Sequence, residues 1–301
     1  MDGKPFRYIS GDLQYARIHP DLWEDRIKRV RGAGLNVVTS YDFGAPISEN
    51  GDITPVYHVI RDFIQNLTDW KYPPSEIPAN NPSTAYGQVT LKRVGSSLVA
   101  TLSQILETCQ ATKDPLSFEQ LYHGYGFVLY TTTLKVGGEE LVTPGVTDYG
   151  YVFLNNVYQG VVKARTPHNI YFSAQPGDVL RILVENQGRV DHWRGEYPTL
   201  DKKGLFYNVT FGGVLLQDWT QCGVNLTKAS IDSLSASFFD QENKEIVESQ
   251  DAVSTPGVYV GQFNASVIED TFFNSSGWSK GQLFINGYNL GHYWPVVGPQ
   301  V

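Results

Sequence analysis

The residues able to do chemistry fall into three groups, and each meets a different obstacle. Gly277-Trp278-Ser279-Lys280-Gly281 fits the G-x-S-x-G pattern of a nucleophile elbow. An elbow needs a strand before the serine, a helix after it, and Asp and His partners downstream. Here a hairpin-type strand follows and only His292 lies downstream, so the segment reads as a turn. Glu139-Glu140 sets two carboxylates side by side, but adjacent strand residues point to opposite faces. That pair therefore reads as solvated charge and not as an acid/base dyad. The histidines (His19, His58, His123, His168, His192, His292) are scattered, and neither Cys109 nor Cys222 lies in a ligand spacing. No metal site or other cofactor is expected from this pattern. The two cysteines form one disulfide or stay free; the sequence leaves both open.

Five Asn-x-Ser/Thr sequons occur, at Asn66, Asn208, Asn225, Asn264 and Asn274. Chance gives roughly two at this composition, so the excess points to secretory ancestry. The start, Met-Asp-Gly-Lys-Pro-Phe, has no apolar core of a leader, so no signal peptide is expected in the chain as written.

Composition narrows the classes. The chain has 301 residues, with 23 Lys+Arg against 31 Asp+Glu and a formal charge of −8. That acidic balance, with no basic run, argues against a nucleic-acid partner. No apolar run approaches the ~18–20 residues that span a bilayer, so no transmembrane helix is expected. Hydrophobic residues make up 41%, enough for a core and too many for a disordered chain. Aromatic residues at 13%, with 29 Gly and 16 Pro, suggest a turn-rich β protein.

The elements that would position these groups follow from punctuation and period. Phe6–Ser10 reads as a strand ending at Gly11. His19-Pro20-Asp21 starts a helix, with proline in the first turn and an acid beside it. Trp23, Ile27 and Val30 make its apolar stripe, and Gly32 and Gly34 stop it. Leu35–Thr39 is a second strand, which completes a βαβ unit with parallel strands. Thr54-Pro55 opens another helix with Val56, Ile60, Phe63, Ile64 and Leu67 on one face. Pro73, Pro74, Pro78 and Pro82 mark a stiff extended linker. Beyond it, Gln88–Leu91, Gly126–Tyr130, Tyr151–Leu154 and Val179–Val184 are short strand-type runs, as in a sandwich.

One pattern occurs twice. Val152-Phe153-Leu154-Asn155-Asn156 reaches Gly160 four residues later, and Leu283-Phe284-Ile285-Asn286-Gly287 reaches Gly291 four residues later. Each is an apolar strand and a turn that tolerates positive φ. The pair reads either as two unrelated hairpins or as two similar sandwich domains.

Larger blocks carry a resemblance. Phe6–Gly11, Gln14–Arg17, Trp23–Arg26 and Ala33–Asn36 resemble the start of the β-galactosidases of glycoside hydrolase family 35. Thr39–Glu49 resembles a segment from the far end of that family's barrel. Ala85–Leu91, Tyr125–Tyr130 and Val184–Val190 resemble its first β domain, and Gly277–Pro295 its second. The resemblance implies a mainly β chain. Two galactose-binding-like jelly-roll sandwiches would follow a small α/β remnant of a (β/α)8 barrel. The implied order is a barrel remnant at 1–70, a Pro-rich linker at 71–84, a first β domain at 85–220 and a second at 221–301. It also implies a lysosomal or secreted lineage, galactosyl glycans as partners, and retaining hydrolysis of terminal β-galactose. Val301 falls where the family continues into closing strands.

Retaining hydrolysis needs two carboxyls about 5–5.5 Å apart. In the family these come from late barrel strands, and those segments are missing at a seam near Thr39-Ser40. Glu185-Asn186 resembles the family's acid/base motif only superficially, because its flanks belong to the first β domain. No catalytic residue is therefore expected in this chain. Tyr41 matches a tyrosine near the family's galactose pocket and Arg17 an arginine beneath it. Phe43 replaces a tyrosine that many members use toward the sugar, which would remove one hydroxyl contact, and Gln14 and Gly44 replace a frequent histidine and aspartate. The expectation is a family member without hydrolytic activity. The alternatives are a carbohydrate- or protein-binding chain using exposed rings such as Trp193, Tyr288 and Trp294, or a non-functional fragment.

Overall fold

Polar and glycine punctuation cuts the chain into short elements. The computed structural model describes them over residues 10–12, 18, 20–35, 37–39, 46–48, 51–67, 74–164, 168–189, 202–239 and 255–297. The chain divides into two compact units, Met1–Gly87 with Asn264–Phe273, and Gln88–Phe263 with Asn274–Val301.

The first unit is the expected βαβ unit with a helix after it. Strand β1 (Ser10–Asp12) and strand β2 (Val37–Thr39) pair in parallel across helix α1 (Trp23–Gly32), and helix α2 (Pro55–Gln65) follows. Residues 6–9 and Ser40, the far side of the seam, lie outside the described residues. Of the apolar stripe read on α1, only Val30 is buried. Trp23 is 41% and Ile27 55% exposed, while Arg26 and Arg29 are buried with Val30. Charge pairing overrides hydropathy here. Asp25 accepts from both Arg26 and Arg29, and Arg29 also donates to Ala79 O at 2.9 Å and Asn81 Oδ1 at 3.2 Å. The proline-rich stretch is thus held along α1, with Ile77 packed on the core of Val30, Ala33, Leu35, Ile47, Tyr57 and Ile64. On α2 the buried side chains are Tyr57 and Ile64, whereas Val56 and Phe63 are exposed. Tyr57 turns inward because its hydroxyl donates to Arg29 O at 2.9 Å.

The second unit is mainly β. Its elements begin with β3 (Lys92–Val94), α3 (Leu98–Leu102), β4 (Leu106–Thr112), β5 (Gly126–Thr133) and β6 (Gly138–Val142). Then come β7 (Tyr149–Leu154), β8 (Val157–Lys163), β9 (Asn169–Ala174), β10 (Val179–Asn186), β11 (Thr210–Phe211) and β12 (Val214–Leu215). The last are β13 (Trp219–Val224), α4 (Lys228–Phe239), β14 (Val258–Val260), β15 (Gly281–Ile285) and β16 (Tyr288–Tyr293). A six-stranded antiparallel sheet has the order β4-β13-β5-β10-β7-β8, and a four-stranded sheet the order β12-β11-β6-β9. Gln88–Leu91, expected as a strand, is not one. Pairing starts at Lys92, because the partner β14 spans only Val258–Val260.

The six-stranded sheet is covered on both faces. One face sends Val128, Tyr130, Val152, Leu180, Ile182, Val184 and Trp219 into a core shared with Leu141 and Phe211 of the other sheet. The opposite face sends Leu129, Phe153 and Leu183 against Val99 and Leu102 of α3, Leu234 of α4, Val258 and Phe284. This explains why β10 reads as a continuous apolar run: both sets of alternate residues are buried.

The two hairpins singled out in the sequence share more than their turns. Asn155 (φ 48°) and Asn156 (φ 71°) join β7 to β8, and Asn286 (φ 49°) and Gly287 (φ 78°) join β15 to β16. Two consecutive positive φ values are what a two-residue hairpin of type I′ requires. Each hairpin also carries a register shift at the same offset, between Val152 and Phe153 and between Leu283 and Phe284. Gly160 and Gly291, both at positive φ, sit beside those shifts.

Cys109 and Cys222 form a disulfide that links β4 to β13. The bridge spans 113 residues of sequence, and closing so long a loop restricts the unfolded chain. Replacing both cysteines by alanine is expected to lower the free energy of urea unfolding by about 2–4 kcal/mol. An unchanged midpoint would contradict this.

Candidate functional site

The alternation of β10 places Glu185 on the same face as Leu183, toward β15 and β16, and there the residue is fully buried. A carboxylate in such a place is costly unless it is paired and hydrogen-bonded. Lys280, immediately before β15, donates to both carboxylate oxygens. His292 on β16 brings Nε2 to 3.2 Å from Oε1. The Tyr151 hydroxyl on β7 donates to Oε2 at 3.4 Å. The side chains of Glu185 and Lys280 are 1% and 9% exposed, so this is a buried ion pair and not a surface one.

Aromatic rings wall off the lysine. Its Nζ lies 5.4 Å from the Tyr149 ring centre and 5.0 Å from that of Trp294. Those two rings meet edge to face at 5.9 Å. Cation–π contact of this kind strengthens when water is excluded. The local field shows in the neighbouring groups. Burial raises the Tyr151 phenol far above its usual range, and the Glu185 charge adds to the effect. Burial lowers the His292 imidazole; Glu185 opposes that and Lys280 reinforces it. Burial thus favours the neutral imidazole at His292.

A cleft of about 360 Å³ opens beside this cluster. Tyr125, Gln187, Arg189, Gln282 and His292 line it, with backbone from Gly124 and Gly188. Its wall is braced from several directions. Gln187 N donates to Asp148 Oδ2 at 2.8 Å, and Asp148 in turn accepts from the buried Lys203. Asn186 Nδ2 donates to Gly124 O at 3.2 Å, and Arg189 pairs with Glu119.

The residues singled out from sequence distribute unevenly over this geometry. Tyr41, Arg17 and Trp193 lie outside the described residues. Trp294 serves the lysine clasp, and Tyr288 is exposed with Lys228 Nζ 5.4 Å from its ring. The Gly277–Gly281 segment is a turn running into β15, so no elbow forms around Ser279. Asn66, Asn208, Asn264 and Asn274 are exposed, and Asn225 is half-buried. The partnership of Glu185 with Lys280 and His292 was not read from sequence. The only hint was chemical, an acid inside an apolar run. Among the described residues no group of three or more His, Cys, Asp and Glu is arranged to hold a metal, and no helix is long and apolar enough to cross a membrane.

Residues 1–40 match the family described as glycosyl hydrolases family 35. Residues 115–225 match the β-galactosidase first all-beta domain, and residues 256–301 the β-galactosidase galactose-binding domain. Similar proteins include a beta-galactosidase from Felis catus, 37% identical over 279 residues, covering 87% of this chain and 41% of the relative. The beta-galactosidase from Homo sapiens is 37% identical over 282 residues, covering 87% and 40%. A beta-galactosidase-1-like protein from Mus musculus is 32% identical over 277 residues, covering 90% and 41%. The chain belongs to the β-galactosidases of glycosyl hydrolases family 35. It spans about 40% of the length of these relatives.

The depressed His292 pKa has a sign in stability. The unfolded chain takes up this proton near pH 6.5, while the folded chain resists it, so stability falls as pH drops through that range. Burial lowers His123 in the same direction, with Glu107 opposing. His292→Gln is expected to flatten part of the fall in Tm between pH 7 and pH 5, leaving the His123 share. A Tm–pH curve parallel to that of the unsubstituted chain would contradict the assignment.

Proposed function

We propose that this chain is a β-galactosidase-family protein that does not itself hydrolyse galactosides. The family activity is retaining hydrolysis of terminal non-reducing β-D-galactose. The carrying observation is the spacing of the family matches. Family 35 similarity runs over residues 1–40, and the first all-beta domain begins at residue 115. Residues 41–114 are far fewer than the rest of a (β/α)8 barrel of roughly 250 residues needs. A retaining mechanism needs an acid and a nucleophile facing one substrate. Glu185, beside Asn186, instead faces Lys280 and His292 in a buried clasp.

In this reading the chain runs as a barrel remnant over 1–70, a linker over 71–84 and two β domains over 85–220 and 221–301. Tyr41 and Arg17 are vestiges of the galactose pocket. Galactosyl glycans are its partners through its β domains. The sequons and the Cys109–Cys222 disulfide support a lysosomal or secreted, glycosylated lineage, since disulfides persist in oxidising compartments.

The test is an assay of the purified 301-residue chain with a chromogenic β-galactoside at acidic and neutral pH. The expected outcome is no turnover above a protein-free blank. Turnover that disappears in Glu185→Gln, with the fold intact, would overturn the proposal.

A further inference from the structure

We infer that the cleft lined by Tyr125, Gln187, Gln282 and His292 is a binding site for one neutral pyranose ring, the terminal sugar of a glycan. This deepens the proposed partnership with galactosyl glycans and rests on it for the sugar class.

Size comes first. About 360 Å³ is at the small end of ligand pockets, which suits one sugar ring better than an oligosaccharide. Charge comes second. Each ionic group near the cleft already has a counter-charge: Arg189 with Glu119, Glu185 with Lys280, Lys203 with Asp148. Burial favours the neutral form of His292. An anion or cation entering here finds no uncompensated partner, whereas a neutral polyol loses nothing.

The recognition groups come third. Tyr125 is 58% exposed and lies nearly parallel to His123, at 15° and 6.3 Å between ring centres. His123 is itself buried and lies offset from the tyrosine, whose ring is largely open to solvent. The electron-rich face of such a ring attracts the polarised C–H edge of a pyranose. Gln187 and Gln282 supply amides, each able to donate and accept. Gln282 lines the cleft, and its Oε1 is buried with no hydrogen-bond partner among the described residues. His292 lines the cleft as well, with Nε2 3.2 Å from Glu185 Oε1. A Cβ added at Gly124 or Gly188 would meet nothing within 4 Å, so these glycines leave open space. Amide and imidazole side chains lining a ring-sized space, beside an exposed tyrosine, suit a neutral polyol.

Ligand-observed saturation-transfer NMR on the full chain tests this, with methyl β-galactoside and methyl β-glucoside as probes. A saturable signal with Kd of about 1 mM is expected for at least one of them. Tyr125→Ala and Gly124→Gln should each weaken it at least tenfold with Tm unchanged. Gly124 is at negative φ with room for a side chain, so its variant blocks the cleft without straining the backbone. Tyr288→Ala, at an exposed ring outside the cleft, should leave binding intact. Binding that survives both cleft variants, or that is lost in Tyr288→Ala, overturns the site while leaving the glycan partnership standing. No saturable signal with either probe overturns both. Hydrolysis of the probes would overturn the non-hydrolytic reading alone.

Discussion

A buried carboxylate has to be neutralised, and much of the second unit is arranged by that demand on Glu185. Transfer of an ion out of water carries an effective penalty of several kcal/mol even after relaxation. The six-stranded sheet has water on neither face at β10, so Glu185 cannot turn outward. Its partners come from a hairpin nearly a hundred residues away in sequence. Lys280, immediately before β15, and His292 on β16 reach it, Tyr151 donates to it, and Tyr149 and Trp294 flank the lysine. The hairpin therefore sits where its charges are needed, with Phe284 packed beside them on the same face.

That arrangement also decides what Glu185 can do. A glycosidase acid must meet its substrate with a proton to give, and its environment is tuned to hold that proton near neutral pH. Glu185 meets an ammonium group on both oxygens instead. The charge is absorbed internally, and the neighbouring pairs do the same for Arg189 and Lys203. What remains at the surface is a cleft of balanced charge, with amides, an imidazole and one exposed tyrosine. The same polar network that pairs Glu185 internally also borders this cleft.

Local features were legible in the sequence, and non-local ones were not. Asn155-Asn156 and Asn286-Gly287 announce hairpin turns because few residues tolerate consecutive positive φ. Val179–Val184 reads as a strand from its apolar run, whereas its burial on both faces shows only in the structure. The βαβ start was readable from its glycine and proline punctuation. The α1 stripe misled, because hydropathy counts Arg26 and Arg29 as surface while Asp25 makes their burial tolerable. Lys92–Val94 could not be placed without knowing that β14 exists to pair with it. The disulfide and the Glu185 clasp join positions 113 and 95 residues apart, and no spacing rule reaches that far.

A double-mutant cycle on Glu185→Gln and Lys280→Met measures the clasp most directly. Each single change strands a polar or charged partner, and breaking a buried pair in this way typically costs about 3–5 kcal/mol. The double variant leaves no unpaired charge, so its loss should be smaller than the sum by about 1–3 kcal/mol. Unfolding free energies that add to within about 0.5 kcal/mol would show that the two residues do not act as a unit. The buried ion pair would then not be what positions the hairpin.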